Sequence, residues 1–396
     1  METDIYFDNS ATTALSDTAL AAMEQAARQY GNPSSLHHIG LEAEKAYIAH
    51  KRKILAAMGF RLHADERNLI ITGSGTEANN LAILGCAFAK PHNRKMKIMT
   101  DDSEHPSVSE PIRLLESLGF SVIPIGTRNG ELDMEAIERA SEDVFLASFM
   151  MVNNETGARY AVEEAFSILR RKNPTVFCHA DAVQAFLKFT DPLSAATADA
   201  ISISAHKIGG PKGCGALYVS NAALQAKRLN AVILGGGQEY GLRSGTENTI
   251  GVAGFAAACE ERSKNLDSDT SQLSLLKQRL LSGLRDIPGI LIHCPSGNWA
   301  PHIVNIALPG VKSEILLRYL SKERIYVSSG SACSSHKNTV SPVLTAFGIT
   351  SDEADCSVRV SFKPENREDE VDRFLSVLRE GVSHFASFTR NYKKRQ

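Results

Sequence analysis

The sequence predicts an α/β protein with a large domain, built on a mostly parallel sheet between helices, and a smaller α+β domain. Between positions 68 and 220, short apolar runs alternate with longer helical patterns. The runs are apolar on both faces, which is typical of strands buried in a parallel sheet. After Cys259 the pattern changes to a polar stretch and then to shorter elements. This order of patterns favours two domains.

The large domain is predicted to carry a seven-stranded sheet. Its strands are expected at 68–72, 96–100, 121–125, 144–150, 176–180, 200–204 and 215–219. Helices are expected between them at 76–89, 106–118, 133–140 and 162–171. Because helices follow strands in this way, we expect helices on both faces of the sheet.

The second pattern predicts a long helix at 271–284, strands near 291–293, 303–306 and 358–361, and a last helix near 368–383. We place the large domain at 14–259. The small domain is expected to comprise 1–13 together with 260–396.

Composition excludes several classes of protein. The 396 residues carry 43 Lys and Arg against 45 Asp and Glu, a net charge of −2, which gives no reason to expect a nucleic-acid partner. No apolar stretch approaches the roughly 20 residues of a membrane span, so no membrane association is expected. The acidic beginning of the chain has no signal-peptide pattern, and we expect a cytoplasmic protein.

The seven cysteines are odd in number and widely spaced, the closest pair being Cys333 and Cys356. This layout predicts neither a disulfide framework nor a metal site. Four of the others lie in helix or strand patterns and are expected to pack as small apolar residues: Cys86, Cys178, Cys214 and Cys259. Cys294 and Cys356 have no predicted role.

Polar residues follow five of the predicted strands, at the edge where an open α/β sheet binds its ligands. They are Gly73, Gly75 and Thr76; Ser103, Glu104 and His105; Asn153, Asn154 and Glu155; Asp181 and Gln184; and Ser204, His206 and Lys207. Their coincidence at one edge predicts a site.

Each motif also has an ordinary structural interpretation. The glycines before Thr76 could cradle a phosphate at a helix N-terminus, or Thr76 could simply be the helix cap. Asp181 could likewise cap a helix, and His105 could be a structural histidine. Single motifs of this kind therefore leave both interpretations open.

Lys207 favours one chemistry over the others. It directly follows an apolar strand, and Asp181 ends the preceding predicted strand. A lysine that forms a Schiff base and an aspartate opposite a pyridinium nitrogen are typical of pyridoxal phosphate enzymes. A dinucleotide-binding fold would need a GxGxxG turn and a later acidic residue, and neither is present.

The motifs resemble those of cysteine desulfurases, which belong to the class-V aminotransferase family of fold-type I pyridoxal phosphate enzymes. The resemblance extends from about Tyr6 to Phe362. It is carried by FDNSATT, GNPSS, EHPSV, NETG, DAVQA, SAHKIGGPKGCGALYV, GGGQEYGLRSGTEN and SSGSACSS, of which SSGSAC is the most specific.

The resemblance implies a role for each matching residue. Lys207 would hold pyridoxal 5'-phosphate covalently and take the Cα proton of the substrate. The other cofactor contacts would come from Gly75, Thr76, Asp181, Gln184, Ser204, His206 and Thr246. Thr246 would reach the cofactor of a neighbouring subunit, which implies a homodimer. His105 would stack on the ring and help to move protons, while Asn154 and Arg359 would bind the substrate carboxylate.

The implied reaction converts L-cysteine to L-alanine, with Cys333 as the thiolate that takes the sulfur as a persulfide. A sulfur-acceptor protein, either an iron–sulfur scaffold or a tRNA-thiolation enzyme, would then receive it. Two departures bear on that acceptor: residues 361–364 read SFKP where the family has SLGR, and the segment after Cys333 differs. The alternatives are a selenocysteine lyase, a class-V aminotransferase, or a non-catalytic member of a sulfur-transfer complex.

Overall fold

The computed structural model describes residues 4–60, 64–89, 96–293, 299–329 and 341–393. The predicted sulfur carrier Cys333 lies outside these ranges, as does Cys294. The strands are β1 Ile5–Tyr6, β2 Leu69–Thr72, β3 Lys97–Asp101, β4 Ser121–Ile125, β5 Val144–Met150, β6 Phe177–Asp181, β7 Ala200–Ser204, β8 Gly215–Val219, β9 Leu291–Ile292, β10 Ile303–Ala307, β11 Ile325–Tyr326, β12 Ser328–Ser329 and β13 Ser357–Ser361. The helices are α1 Asp17–Ala27, α2 His38–Ala57, α3 Gly75–Phe88, α4 Pro106–Ser117, α5 Met134–Ala140, α6 Val162–Lys172, α7 Asn221–Gln225, α8 Thr249–Arg285, α9 Ser313–Lys322, α10 Pro342–Ala346, α11 Ser351–Asp355 and α12 Glu368–Lys393.

The predicted seven-stranded sheet is confirmed. Its strand order is β2-β8-β7-β6-β5-β3-β4, and β8 alone runs antiparallel to its neighbours, between β2 and β7. The central strands β5 to β8 are buried along their whole length, as their two-sided apolar pattern predicts. Strand β4 lies at one edge, is partly exposed and contains Pro124, a residue that edge strands tolerate.

Two apolar cores cover the opposite faces of this sheet. Successive side chains of a strand point to opposite faces, so Leu69 and Ile71 lie in one core while Ile70 lies in the other. The helices that follow the strands supply the covering layers. This arrangement leaves the carboxyl ends of β5, β6 and β7 open at one edge, with the loops after them.

A second, four-stranded antiparallel sheet has the order β12-β13-β10-β9 and its own apolar core. Helix α8 connects the two parts, because Phe255 packs in the first core and Leu276 in the second. It runs without a break through the polar stretch after Cys259, so the helix predicted at 271–284 is longer than expected. The domain boundary at 259 therefore remains a prediction. Neither α8 nor any other helix of the described ranges has the length and apolarity needed to span a membrane.

The cysteines of the described residues are buried and form no disulfide with one another, namely Cys86, Cys178, Cys214, Cys259 and Cys356. The prediction that four of them pack as small apolar residues is confirmed. Nothing in these ranges groups three or more His, Cys, Asp or Glu side chains in a way that could hold a metal ion.

Candidate active site

The site begins with a carboxylate at the end of β6. Asp181 is 6% exposed, and its Oδ1 accepts a hydrogen bond from the backbone N–H of Val183 at 2.9 Å. Its Oδ2 accepts from Asn79 Nδ2, on α3, at 2.7 Å. No helix starts at Asp181, so the interpretation of this residue as a helix cap is wrong. The two donors instead fix the orientation of the carboxylate toward the sheet edge.

Lys207 follows the neighbouring strand β7 and meets the N-terminal segment of the chain. Its Nζ donates to the backbone carbonyl of Ser10 and, at 2.8 Å, to that of Ala11. Gln184 Nε2 donates to the same Ser10 carbonyl at 2.9 Å. The segment that resembles the family's FDNSATT motif therefore lies directly against the lysine and the glutamine.

The start of α3 lies close to the end of β7, and the missing side chain of Gly75 leaves a small hollow beside Ser204. Gly75 begins the helix, and a Cβ at this position would lie only 2.8 Å from Val183 Cγ2 and 3.4 Å from Ser204 Cβ. Ser204 Oγ is buried and has no hydrogen-bond partner among the described residues. The hollow thus combines a helix N-terminus, a position that requires glycine and an unused hydroxyl.

The helix cap is Ser74 rather than Thr76, because the Ser74 side chain accepts the N–H of Glu77 at 3.1 Å. Thr76 is exposed and lines an open pocket of about 450 Å³ together with His105. Thr76 is therefore free of the capping role and faces the mouth of the site.

His206 lies beside the hollow, where its Nδ1 is 3.2 Å from Thr12 Oγ1. Burial, together with the charges of Lys207 and Lys212, lowers the pKa of His206 to about 4. Its ring is therefore neutral at physiological pH, and the hydroxyl of Thr12 holds it against the N-terminal segment.

Arg359 brings the second sheet to the site. This β13 residue is 4% exposed; its Nη1 donates to the Asn154 carbonyl at 2.8 Å, and its Nη2 donates to Asp8 Oδ1 at 2.8 Å. Arg359 Nε and Asn154 Oδ1 are buried without a partner among the described residues. A guanidinium with an unused donor suits a planar anion such as a carboxylate.

His105 is the N-cap of α4, and its Nδ1 accepts the backbone N–H of Ser107 at 3.1 Å. Burial lowers the pKa of His105; Asp181 opposes this shift, and the positive charges of Lys207 and Arg359 add to it. His105 therefore lies within the electrostatic field of all three charged residues of the site.

Thr246 does not join this group of residues. It is exposed on the loop 235–248 and lines a different cavity of about 180 Å³, whose walls include Thr72, Gly73 and Arg243. The candidate site therefore brings residues predicted at the sheet edge together with Arg359 and Asn154, while Thr246 lines a separate pocket.

Three side chains of the site were missed from the sequence. Asn79 lies on α3 and Ser107 lies within the quoted motif EHPSV, and a polar residue on the buried face of a helix is the signal that could have found them. Asp8 had no such signal, because only the tertiary structure brings it to Arg359.

Comparison with known proteins identifies the family. The model of the class-V aminotransferases matches residues 5–374, which is most of the chain. This chain belongs to the class-V aminotransferase family. Its similarity to a NifS/IcsS protein homolog of Lactobacillus delbrueckii subsp. bulgaricus is 36% identity over 388 residues, covering 96% of this chain and 98% of the relative.

Two further relatives place the chain among the cysteine desulfurases of this family. A cysteine desulfurase IscS of Dictyoglomus turgidum is 34% identical over 383 residues, covering 96% of this chain and 94% of the relative. A solved NifS-like protein superposes with a TM-score of 0.88 at 33% identity, covering 96% of this chain and all of the other. The family and the fold expected from the motifs are thereby confirmed.

Proposed function

We propose that this member of the cysteine desulfurases converts L-cysteine to L-alanine with pyridoxal 5'-phosphate and carries the sulfur as a persulfide on Cys333. The observation that carries the proposal is the meeting of Lys207, Asp181 and Arg359 in one site. An amine for the cofactor, a carboxylate for its ring nitrogen and a guanidinium for an amino-acid carboxylate are the groups that this reaction needs.

The residues present fit pyridoxal phosphate. The buried Ser204 Oγ and Gln184 Oε1 have no partner among the described residues, and Gly75 leaves room beside Ser204. We assign the phosphate to Gly75, Thr76, Ser204 and His206, and the ring to Asp181, Gln184 and His105. When bound, the cofactor supplies an electrophilic carbon and a ring that accepts an electron pair from the substrate.

The protein's own groups then divide the work. Lys207 would hold the cofactor and take the Cα proton of L-cysteine, while Arg359 and Asn154 would hold its carboxylate. Cys333, as thiolate, would attack the substrate sulfur, so that an S–S bond forms while the Cβ–S bond breaks and leaves its electron pair on the carbon skeleton. Cβ would then gain a proton and Lys207 would return a proton to Cα, so the skeleton leaves as alanine and no external oxidant is needed.

The burial of the described cysteines supports Cys333 as the sulfur carrier. Burial raises the pKa of Cys178 and of Cys214 to about 12, so both remain thiols rather than the thiolates that react. A sulfur-acceptor protein, an iron–sulfur scaffold or a tRNA-thiolation enzyme, receives the sulfur from Cys333. The segments that differ from the family, 361–364 and the residues after Cys333, bear on which acceptor binds.

Mass spectrometry of the intact protein after brief turnover with L-cysteine tests this assignment. We expect an added sulfur atom on Cys333, lost in Cys333→Ser and retained in the matched control Cys294→Ser. An adduct that persists in Cys333→Ser would contradict the assignment.

We also propose a homodimer in which Thr246 completes the partner's site. Large apolar side chains are exposed next to this loop and near the N-terminus, including Leu234 at 82% and Leu36 at 91%. Burial of such side chains against a second subunit would be favourable. Mixing Lys207→Ala with Thr246→Ala subunits tests it, because hybrid dimers would regain one complete site. A mixture no more active than its parents would contradict the shared site.

A further inference from the structure

A chain of hydrogen bonds joins Asp181 to His105 through two residues that the family motifs did not assign. Asn79 Nδ2 lies 2.7 Å from Asp181 Oδ2 and 2.8 Å from Ser107 Oγ. Ser107 Oγ in turn lies 2.8 Å from His105 Nδ1. Asn79 is fully buried and Ser107 is 7% exposed, so this chain is shielded from water.

The donors along this chain can be assigned from one end. A carboxylate only accepts, so the Asn79 amide nitrogen faces Asp181 and donates to it. The second amide hydrogen of the same nitrogen donates to Ser107 Oγ. The Ser107 hydroxyl has then received a hydrogen bond, and its own hydrogen is directed to His105 Nδ1.

The ring nitrogen Nδ1 thus receives two donors. Besides the Ser107 hydroxyl, the backbone N–H of Ser107 donates to Nδ1 at 3.1 Å. A backbone N–H cannot reverse its direction, so Nδ1 must carry a lone pair. The proton of the neutral ring is then on Nε2, which has no acceptor among the described residues.

The surroundings oppose a second proton on the ring. His105 caps the N-terminus of the 12-residue helix α4, where the helix dipole disfavours a cation. Burial lowers the pKa of His105; among the described residues, the charge of Asp181 opposes this shift, whereas the positive charges of Lys207 and Arg359 add to it. A histidine held neutral at a helix N-terminus can serve as a hydrogen-bond donor in catalysis.

We propose that Asn79 and Ser107 are positioning residues that hold His105 as a neutral imidazole with its proton on Nε2. His105 then donates a hydrogen bond to the reacting groups and does not act as the base. Lys207 remains the group that takes the Cα proton. The role of His105 as a hydrogen-bond donor in the reaction rests on the proposed function, whereas its tautomer is a property of the protein without cofactor or substrate.

Nitrogen NMR of histidine-labelled, full-length protein without added cofactor tests the tautomer independently of desulfurase activity. The His105 signals are identified by their loss in His105→Gln. We expect Nδ1 to be unprotonated and Nε2 to be protonated at neutral pH and above, as the backbone N–H donated to Nδ1 requires. A proton on Nδ1 at neutral pH would overturn the proposal.

The variants Ser107→Ala, Ser107→Thr and Ser109→Ala test the positioning role. Loss of the hydroxyl in Ser107→Ala should raise the titration midpoint of His105 by about 0.5 to 1 pH unit, because one hydrogen bond to the neutral ring is lost. Ser107→Thr should restore the original midpoint, and the nearby Ser109→Ala should leave it unchanged. Equal midpoints in Ser107→Ala and Ser109→Ala would contradict the role of Ser107.

Asn79→Ala tests the first link. Without the Asn79 amide, the Ser107 hydroxyl is no longer directed to Nδ1 of His105. The titration midpoint of His105 should therefore rise in this variant too. In the Ser107→Ala background, the same change should have almost no effect, because Asn79 acts through Ser107. A full additional shift in the double variant would show that Asn79 does not act through this chain of bonds.

Discussion

The two halves of the site are built in different ways. Asp181, Ser204 and Lys207 lie within one stretch of chain and are held by adjacent strands of a single sheet. Arg359 instead joins Asn154 and Asp8, which are 205 and 351 positions away in the sequence. The first half is defined by strand pairing, and the second by the packing of two sheets against each other.

This difference separates chemistry from recognition. In the proposed reaction, the sheet-edge half carries the lysine and the aspartate that would act on bonds at the reacting carbon. The half around Arg359 carries the proposed anion-binding group, whose position depends on contacts between distant segments. Changes in the first half should therefore abolish the reaction, while changes in the second should weaken substrate binding and stability.

The largest effect is expected from Lys207→Ala, which removes the base and the cofactor-binding amine from the sheet-edge half. Turnover of L-cysteine should fall by about 10³-fold or more, and the visible absorbance of the bound cofactor should shift. Sulfide release and the absorption spectrum measure the two effects. Lys212→Ala, in the same loop but exposed, is the control; an equal loss there would remove the special role of Lys207.

Arg359→Lys removes the guanidinium from the second half of the site while keeping a positive charge at this position. Lysine cannot present the planar fork of donors, so kcat/KM should fall by about 10- to 100-fold, mainly through KM. Steady-state kinetics over a range of L-cysteine concentrations separates the two constants. The exposed Arg324→Lys should leave both unchanged. A loss confined to kcat in Arg359→Lys would show that this half does not serve recognition.

The buried histidine His179, in the sheet that carries the site, should make the stability of the protein depend on pH. It is fully buried between Ser148 Oγ at 2.8 Å and Ser202 Oγ at 2.9 Å, and burial lowers its pKa from 6.5 to about 3. The unfolded chain therefore takes up a proton that the folded chain refuses, and stability is lost as pH falls below 6.5.

The free energy of unfolding should accordingly fall by about 1.4 kcal/mol per pH unit on account of this one group. In His179→Gln, the free energy of unfolding should fall less steeply with pH, because the contribution of this histidine is removed. Denaturant unfolding at several pH values below neutrality measures the slope. The exposed His38→Gln is the control. An unchanged slope in His179→Gln would mean that the ring is protonated in the folded protein.

The smallest effect is expected from Asp8→Asn, within the half around Arg359. The amide still accepts from Arg359 but loses the charge, so unfolding should become easier by about 1 kcal/mol and KM should rise modestly. Asp4→Asn, in an exposed pair with Arg324, should change neither quantity. If Asp8→Asn behaves like Asp4→Asn, the Asp8 charge does not help to position Arg359.

The sequence predicted the sheet-edge half because its signals are local. Residues 200–204 form β7 as expected, so Ser204 and Lys207 had to lie where the strand ends. Asp181 was likewise placed by the end of β6. Of the two interpretations left open for Thr76, the helix cap is excluded, because Ser74 caps α3. Serine and threonine are both common cap residues, so the sequence alone did not decide between them.

The other half could be predicted only by resemblance to a family. Nothing local connects Arg359 to Asp8, because their contact depends on how β13 and the N-terminal segment pack. The same holds for Asn79 and Ser107, whose helices α3 and α4 must lie side by side before their side chains can meet.

The most direct test of the central claim is a measurement of the products formed from L-cysteine by the protein with pyridoxal phosphate and a thiol reductant. The account predicts alanine and sulfide in equal amounts, with Lys207→Ala producing neither. Pyruvate and ammonia in place of alanine, or no product from the cofactor-loaded protein, would contradict it.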